Sequence, residues 1–305
     1  MLTLNSQIIY LNGQYVQKHE AVISVFDHGF LYGDGVFEGI RVYEGNIFKL
    51  DEHIDRLYES AHTIMLDIPH TKEEFKQIIV NTVRKNELSS AYIRVVVSRG
   101  AGDLGLDPRN CPKPTVLVIA EALAIYSNEL YEKGLKVASV AYRRSSPDVL
   151  NPQIKSLNYL NNILVKLASV QANADEALIL NDQGYVTEGS ADNVFIVKNG
   201  KIFTPPIYLG ALEGITRNVI IEQAKKLGYE LEEKPFTLHD VYIADEVFLT
   251  GTAAEVIPVV SVDNRLIGDG EPGEITKDLL KAFRKLVLTD GVQCYPEKVK
   301  TIEIS

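Results

Sequence analysis

Apolar and polar positions alternate along the first fifty residues in short runs broken by turn residues, the pattern of strands with one buried face. Residues 7–11 and 14–16 flank Asn12-Gly13, a pair that accepts the left-handed backbone of a type I′ turn, so the spacing predicts a hairpin. Residues 37–43 and 47–50 flank Glu44-Gly45-Asn46 and predict a second one. The period then changes. Ile54, Leu57, Tyr58, Ala61, Ile64 and Met65 recur at helical spacing, and Thr71 with Glu74 forms a capping-box signature ahead of Phe75, Ile78, Ile79 and Val83. Two β-rich runs follow at 92–98 and 115–120. The apolar pattern weakens over 123–133. Beyond it, strands are expected at 135–142, 177–180, 185–187, 194–197, 202–204, 246–250 and Glu255–Val262, and helices at 157–171, 215–227 and 276–288. Strands interrupted by a few helices predict an α+β protein: a small N-terminal α/β domain over 1–122, a connection over 123–133 and a larger, barrel-like domain over 134–305.

Charge narrows the partners. The chain of 305 residues carries a net charge of −10, which argues against nucleic acid, whose phosphates call for a clustered basic surface. The start has no basic segment leading into an apolar one, and no run approaches the roughly 18 apolar residues of a membrane span. Cys111 and Cys294 are far apart and in no metal-binding spacing. These features predict a cytoplasmic protein with reduced thiols, no membrane contact and no metal. Motifs for other chemistries are missing: there is no GxSxG, HExxH or phosphate-binding GxxxxGK. Gly100 to Gly105 spells GxGxxG after a strand, but the continuation through Pro108, Pro112 and Pro114 cannot form the helix that a dinucleotide site needs, so a loop is expected. Asp27-His28 suggests acid–base work, yet neighbours on a strand point to opposite sides.

Four segments carry better candidate chemistry. Lys155 lies between an extended entry at Pro152 and a helix that Ser156 is placed to cap, beside Leu157, Leu160, Leu164 and Leu167. A partly desolvated lysine there loses proton affinity and becomes a nucleophile for carbonyl carbons. Tyr159, read as one helical turn further on, directs its hydroxyl back toward Lys155. Gly214-Ile215-Thr216 opens a helix and Gly251-Thr252-Ala253 follows a strand, two backbone cups suited to an anion. Glu188 ends a strand, where a fixed carboxylate can keep a pyridine nitrogen protonated. Each has a plainer alternative: a solvated lysine, a core tyrosine, ordinary caps, a surface glutamate.

Taken in order, the motifs YGDGVFEGIR (32–41), HIDRL (53–57), AYIR (91–94), IKSLNYLNNIL (154–164), EGSADNVF (188–195), GITR (214–217) and GTAAEV (251–256) resemble the class-IV, fold-type IV pyridoxal-phosphate (PLP) aminotransferases. Among these the chain is most similar to the branched-chain amino-acid aminotransferases, over nearly its whole length. The resemblance implies a small lobe plus a larger pseudo-barrel lobe, with PLP as cofactor. It makes Lys155 the residue that binds PLP covalently and shuttles the substrate proton. Tyr159 would bond the cofactor's phenolate oxygen and Glu188 its ring nitrogen. Arg56, the Ile215 and Thr216 backbone, and Thr252 would hold the phosphate. The substrate would meet Tyr32, Phe37, Gly39, Tyr92, Arg94 and Tyr126, some of them in a partner subunit's site, with its α-carboxylate at Thr252 and Ala253. The implied reaction moves the amino group of Leu, Ile or Val to 2-oxoglutarate in two half-reactions through pyridoxamine phosphate, in a homodimer or larger homo-oligomer. Lys155-Ser156-Leu157-Asn158 is shared with D-amino-acid aminotransferases, so that activity stays open, as does aminodeoxychorismate lyase. A non-enzymatic PLP- or metabolite-binding protein is the reading outside enzymology, and the full set of Lys155, Tyr159, Glu188 and Arg56 speaks against it.

Overall fold

Asn12 and Gly13 both take positive φ, 48° and 91°, and join Ile8–Leu11 to Gln14–Gln17 in the expected hairpin. The second turn needs only Glu44 and Gly45, at φ 48° and 84°, between Gly35–Tyr43 and Asn46–Phe48. The computed structural model describes residues 7–122 and 127–296; Tyr126 and the first part of the expected connection lie outside them. Two compact units emerge, one holding residues 7–122, 154–158 and 287–296, the other residues 127–153 and 159–286.

The first unit is a seven-stranded antiparallel sheet in the order Gly291–Gln293, Asn46–Phe48, Gly35–Tyr43, Ala91–Ser98, Thr115–Glu121, Ile8–Leu11, Gln14–Gln17. Alternation sorts its two central strands by face. Val36, Ile40, Val42, Ile93, Val95 and Val97 pack with Ile54, Leu57 and Ala61 of the helix Leu50–Thr63 and with Phe75, Ile79 and Val83 of Lys72–Lys85. Thr71 and Glu74 close the predicted capping box. The intervening positions Phe37, Gly39, Tyr92 and Arg94 stand in the opposite phase.

The second unit is a mixed sheet in the order Leu231–Glu233, Lys201–Thr204, Asn193–Lys198, Glu246–Gly251, Glu255–Val262, Leu135–Arg143, Glu176–Leu180, Val186–Gly189, with Arg265–Leu266 beside Glu255–Val262. Leu135–Arg143 runs parallel to both neighbours, which requires crossovers. The helix Leu160–Gln171 makes one of them, burying Val165 against Val140, Ala177 and Ile179. The helices Ile215–Lys226 and Glu274–Leu286 lie against Glu246–Gly251 and Glu255–Val262.

Three sequence expectations change. Ser156 does not cap a helix from 157: that helix starts at Leu160 with Tyr159 as its N-cap, because residues 155–157 spend their backbone groups on the strand Gly35–Tyr43. Asp27-His28 is not in a strand either. Asp27 caps the short helix His28–Tyr32 by accepting from the Gly29 N–H at 2.8 Å. The connection over 123–133 includes a helix, Asn128–Lys133. After Gly100–Gly105 no dinucleotide-type helix opens, and the chain makes only a 3₁₀ turn at Pro108–Asn110.

Candidate active site

Lys155 is fixed through its main chain. The Phe37 N–H donates to the Lys155 carbonyl at 3.0 Å, and the Leu157 N–H to Gly35 O at 2.9 Å. Val36 bridges Ser156, and the Lys155 N–H donates to Ser60 Oγ at 3.2 Å. Just beyond, Asn158 Nδ2 donates to the carbonyl of Gly33, whose φ of 70° and crowding by the Asn158 side chain demand glycine. Nζ of Lys155 lies 4.6 Å from the Phe37 ring centroid. The segment is extended rather than helical, so Lys155 and Tyr159 are not one turn apart on a helix as the sequence pattern suggested.

Phe37 belongs to a wall with three other predicted substrate residues. In the antiparallel register Gly39 opposes Arg94 and Arg41 opposes Tyr92, which sets the four on one face. Arg94 Nη2 donates to the Tyr92 hydroxyl at 3.2 Å, and its guanidinium carbon lies 4.7 Å from the Phe37 ring centroid. A Cβ at Gly39 would come within 2.0 Å of the Tyr92 hydroxyl, so the absent side chain is what lets Tyr92 lie across the strand there. Tyr32 is engaged elsewhere, donating its hydroxyl to the Leu104 carbonyl at 2.7 Å.

On the other phase of the same strand sits Glu38, fully buried. Arg56 grips it side-on, Nε to Oε1 at 2.7 Å and Nη2 to Oε2 at 2.9 Å, and His53 Nδ1 donates to Oε2 at 2.8 Å. His53 and Arg56 are three apart on the helix Leu50–Thr63 and so share a face. Burial alone raises a carboxylate's pKa, but Arg56 and His53 outweigh it and hold Glu38 far below its usual range. Burial pushes His53 down from 6.5 against the pull of Glu38, while Arg56 and Lys155 add to the lowering. His53 is therefore neutral, with its proton on Nδ1. A histidine depressed in the folded state binds fewer protons there than in the unfolded chain, so the stability it contributes is present above about 6.5 and lost as pH falls. We expect the urea midpoint of the wild type to decline from pH 7 to 5, and the slope to flatten in His53→Gln. An equal slope in both would remove His53 from the acid response.

The second unit carries the remaining candidates. Glu188 is buried inside the strand Val186–Gly189, not at a surface turn. Oε1 pairs with Arg144, and Oε2 accepts from the Leu212 N–H at 2.9 Å. Arg144 also donates to the Gly210 carbonyl at 3.2 Å and to Asn162 Oδ1 at 3.2 Å. A few residues on, the helix Ile215–Lys226 opens with Ile215 and Thr216 buried and with no side-chain cap from Gly214. The first N–H groups of any helix have no carbonyl partner within it. Thr252 and Ala253 follow Gly251, against which Asp192 Oδ1 is packed, 2.0 Å from where a Cβ would stand. Oγ1 of the neighbouring Thr250 is buried with no hydrogen-bond partner among the described residues.

The structure thus gathers Lys155, Phe37, Gly39, Tyr92 and Arg94 in one unit, with Arg56 on that unit's helix, and Glu188, Ile215, Thr216 and Thr252 in the other. Sequence reasoning gave no role to Glu38, His53, Asp192 and Asn193, though its motifs contain them, and passed over Arg144. Glu38 had a signal: it is a charge at a core phase of an alternating strand.

Residues 35–262 match the amino-transferase class IV family. The chain belongs to that family. A protein of Methanocaldococcus jannaschii that bears the name branched-chain-amino-acid aminotransferase provisionally is 54% identical over 289 residues, 95% of this chain and 99% of that one. The crystal structure of the Escherichia coli branched-chain amino acid aminotransferase superposes on this class-IV aminotransferase with a TM-score of 0.91 at 35% identity, covering 95% of this chain and 98% of the other. The branched-chain amino acid aminotransferase of Thermobaculum terrenum, solved in its PLP form, gives 0.84 at 32%, covering 93% and 94%. Such agreement establishes the fold-type IV, α+β architecture of this class-IV aminotransferase.

Proposed function

We propose that this chain transfers the amino group of L-leucine, L-isoleucine or L-valine to 2-oxoglutarate, with PLP as cofactor. PLP supplies an electron sink for the substrate's Cα electrons and a carrier for the amino group. The residues fit that cofactor on a feature of the structure itself: the start of the helix Ile215–Lys226 is buried and uncapped, the arrangement that favours a phosphate. Lys155 would be the residue that holds the cofactor covalently, and its free amine would move the proton at the substrate Cα. Glu188, held on both oxygens, keeps the ring nitrogen's proton, and the Tyr159 hydroxyl bonds the ring oxygen. Arg56, the Ile215 and Thr216 N–H groups and Thr252 hold the phosphate. The turn at Thr252 and Ala253 takes the substrate α-carboxylate, while Tyr32, whose hydroxyl is turned to the Leu104 carbonyl, would serve a partner subunit's site.

The observation that carries the substrate assignment is the wall of Phe37, Gly39, Tyr92 and Arg94. Aromatic rings offer apolar area to a branched side chain, and one guanidinium among them offers a partner to a second carboxylate. A charged contact is worth about 1.5–3 kcal/mol. Arg94→Gln should therefore lower kcat/KM for 2-oxoglutarate at least about tenfold more than for L-leucine. Parallel losses on folded, PLP-loaded protein would mean that Arg94 only braces its strand, and D-amino acids reacting faster than L would overturn the stereochemistry.

The reading includes a homodimer or larger homo-oligomer in the cytoplasm. Val22, Val25, Phe26, Phe30, Leu104 and Leu106 are exposed, on segments tied together by the Asp27–Ala101 bridge, and a second copy would cover them. Cys111 and Cys294 are free, as reducing surroundings would leave them. No helix among the described residues is long and apolar enough to cross a membrane.

A further inference from the structure

Residues 188–193 form one tight turn between the strands Val186–Gly189 and Asn193–Lys198, closed by the Gly189 N–H donating to Asp192 O at 2.6 Å. Two side chains from this turn take hold of both main-chain groups of Leu212. The Leu212 N–H donates to Glu188 Oε2 at 2.9 Å, and the Leu212 carbonyl accepts from Asn193 Nδ2 at 2.9 Å. The other amide atom, Asn193 Oδ1, lies 1.9 Å from where a Cβ on Gly214 would stand, so it sits directly against the N-cap of the helix Ile215–Lys226. Asn193 itself is buried, and its backbone is registered opposite Thr250 in the sheet.

We infer that Asn193 is a positioning residue for the cofactor phosphate: it locks the uncapped end of the helix Ile215–Lys226 at a fixed distance from Glu188. The inference rests on the reading above that the phosphate goes to Ile215 and Thr216. The field of a helix terminus acts only within its last turn, so its placement decides how well it holds an anion. Two anchors on Leu212 fix the segment that leads into that end. With Asn193 gone, Leu212 keeps only its N–H contact to Glu188, the nearest other anchor being the Arg144 bond to the Gly210 carbonyl, and the N–H groups lose their setting relative to the ring-nitrogen carboxylate. The rest of the sheet keeps its bonds, because Asn193 pairs with Thr250 through backbone that alanine also possesses.

The test separates phosphate binding from ring binding. Apoenzyme of the full chain is titrated with PLP and with pyridoxal, which has the same ring and no phosphate, following absorbance of the bound ring. Asn193→Ala should raise the Kd for PLP about tenfold and leave that for pyridoxal within about twofold, with inorganic phosphate protecting less well. Gly214→Ala attacks the same contact from the helix side without altering the sheet. Its backbone, at φ −73°, suits alanine, and the severe clash is with Asn193 Oδ1 at 1.9 Å, with Arg217 Cβ next at 3.2 Å, so it should repeat the result. Equal rises for PLP and pyridoxal, or no rise in either variant, would overturn the inference. A wild type that does not prefer PLP to pyridoxal would sink the phosphate reading together with the inference, whereas a preference kept by both variants sinks the inference alone.

Discussion

Lys155→Ala should reduce the rate of both half-reactions by at least about 10²- to 10⁴-fold, the range a positioned proton-transfer group contributes on its own. The structure makes this a clean experiment. The bonds that seat residue 155, from the Phe37 N–H to its carbonyl and from its N–H to Ser60 Oγ, run through its main chain, and alanine retains both. The side chain reaches the Phe37 ring instead. Fold and thermal midpoint should therefore hold while turnover disappears, and borohydride reduction of the PLP-loaded wild type should leave the cofactor on the peptide containing Lys155. Retention of more than about a tenth of the wild-type rate, or a label on Lys166, would transfer the role to another lysine.

How far the sequence is legible depends on whether a residue's partners are close in the chain. The hairpin at Asn12-Gly13, the capping box at Thr71 and the strand Glu255–Val262 are set by neighbours, and each forms where the pattern predicts. Ser156 shows the opposite case. Its local signature, a serine after a proline and before a leucine run, is that of an N-cap, but its backbone is claimed by Val36 from far earlier in the chain. A non-local pairing overrides a local preference because it satisfies buried N–H and carbonyl groups that a cap would leave unmet. Arg144 is illegible for a related reason. Nothing beside it in sequence announces Glu188, and only the folding of Leu135–Arg143 next to Glu176–Leu180 brings its segment to that carboxylate. Asn193 was visible as part of a motif, yet its work lies in the contacts with Leu212 and Gly214.

Arg56→Ala should weaken PLP binding by about 10- to 150-fold, the equivalent of one charge-assisted contact of roughly 1.5–3 kcal/mol, and it should also destabilise the apoenzyme. The second effect follows from Glu38. Arg56 donates twice to a carboxylate with no exposure to solvent, and its loss would leave that charge with His53 and a longer bond from the Gly39 N–H. Removing one partner of a buried pair costs about 3–5 kcal/mol, and the remaining His53 bond should keep the loss toward the lower end. Affinity and stability would then fall together, and a weak cofactor could be mistaken for a weak fold. A double variant separates them. Glu38→Gln with Arg56→Met removes both charges while roughly keeping the volume, so the stability of the apoenzyme should largely return. PLP affinity should not return if, as proposed, the missing guanidinium is the one that holds the phosphate. Stability has to be compared without cofactor, since PLP binding itself raises the folded fraction. If the double variant binds PLP as the wild type does, Arg56 serves Glu38 and not the phosphate. If it stays weak while its urea midpoint recovers, one guanidinium does both tasks, its Nε and Nη2 edge turned to the strand and the rest of the group to the cofactor.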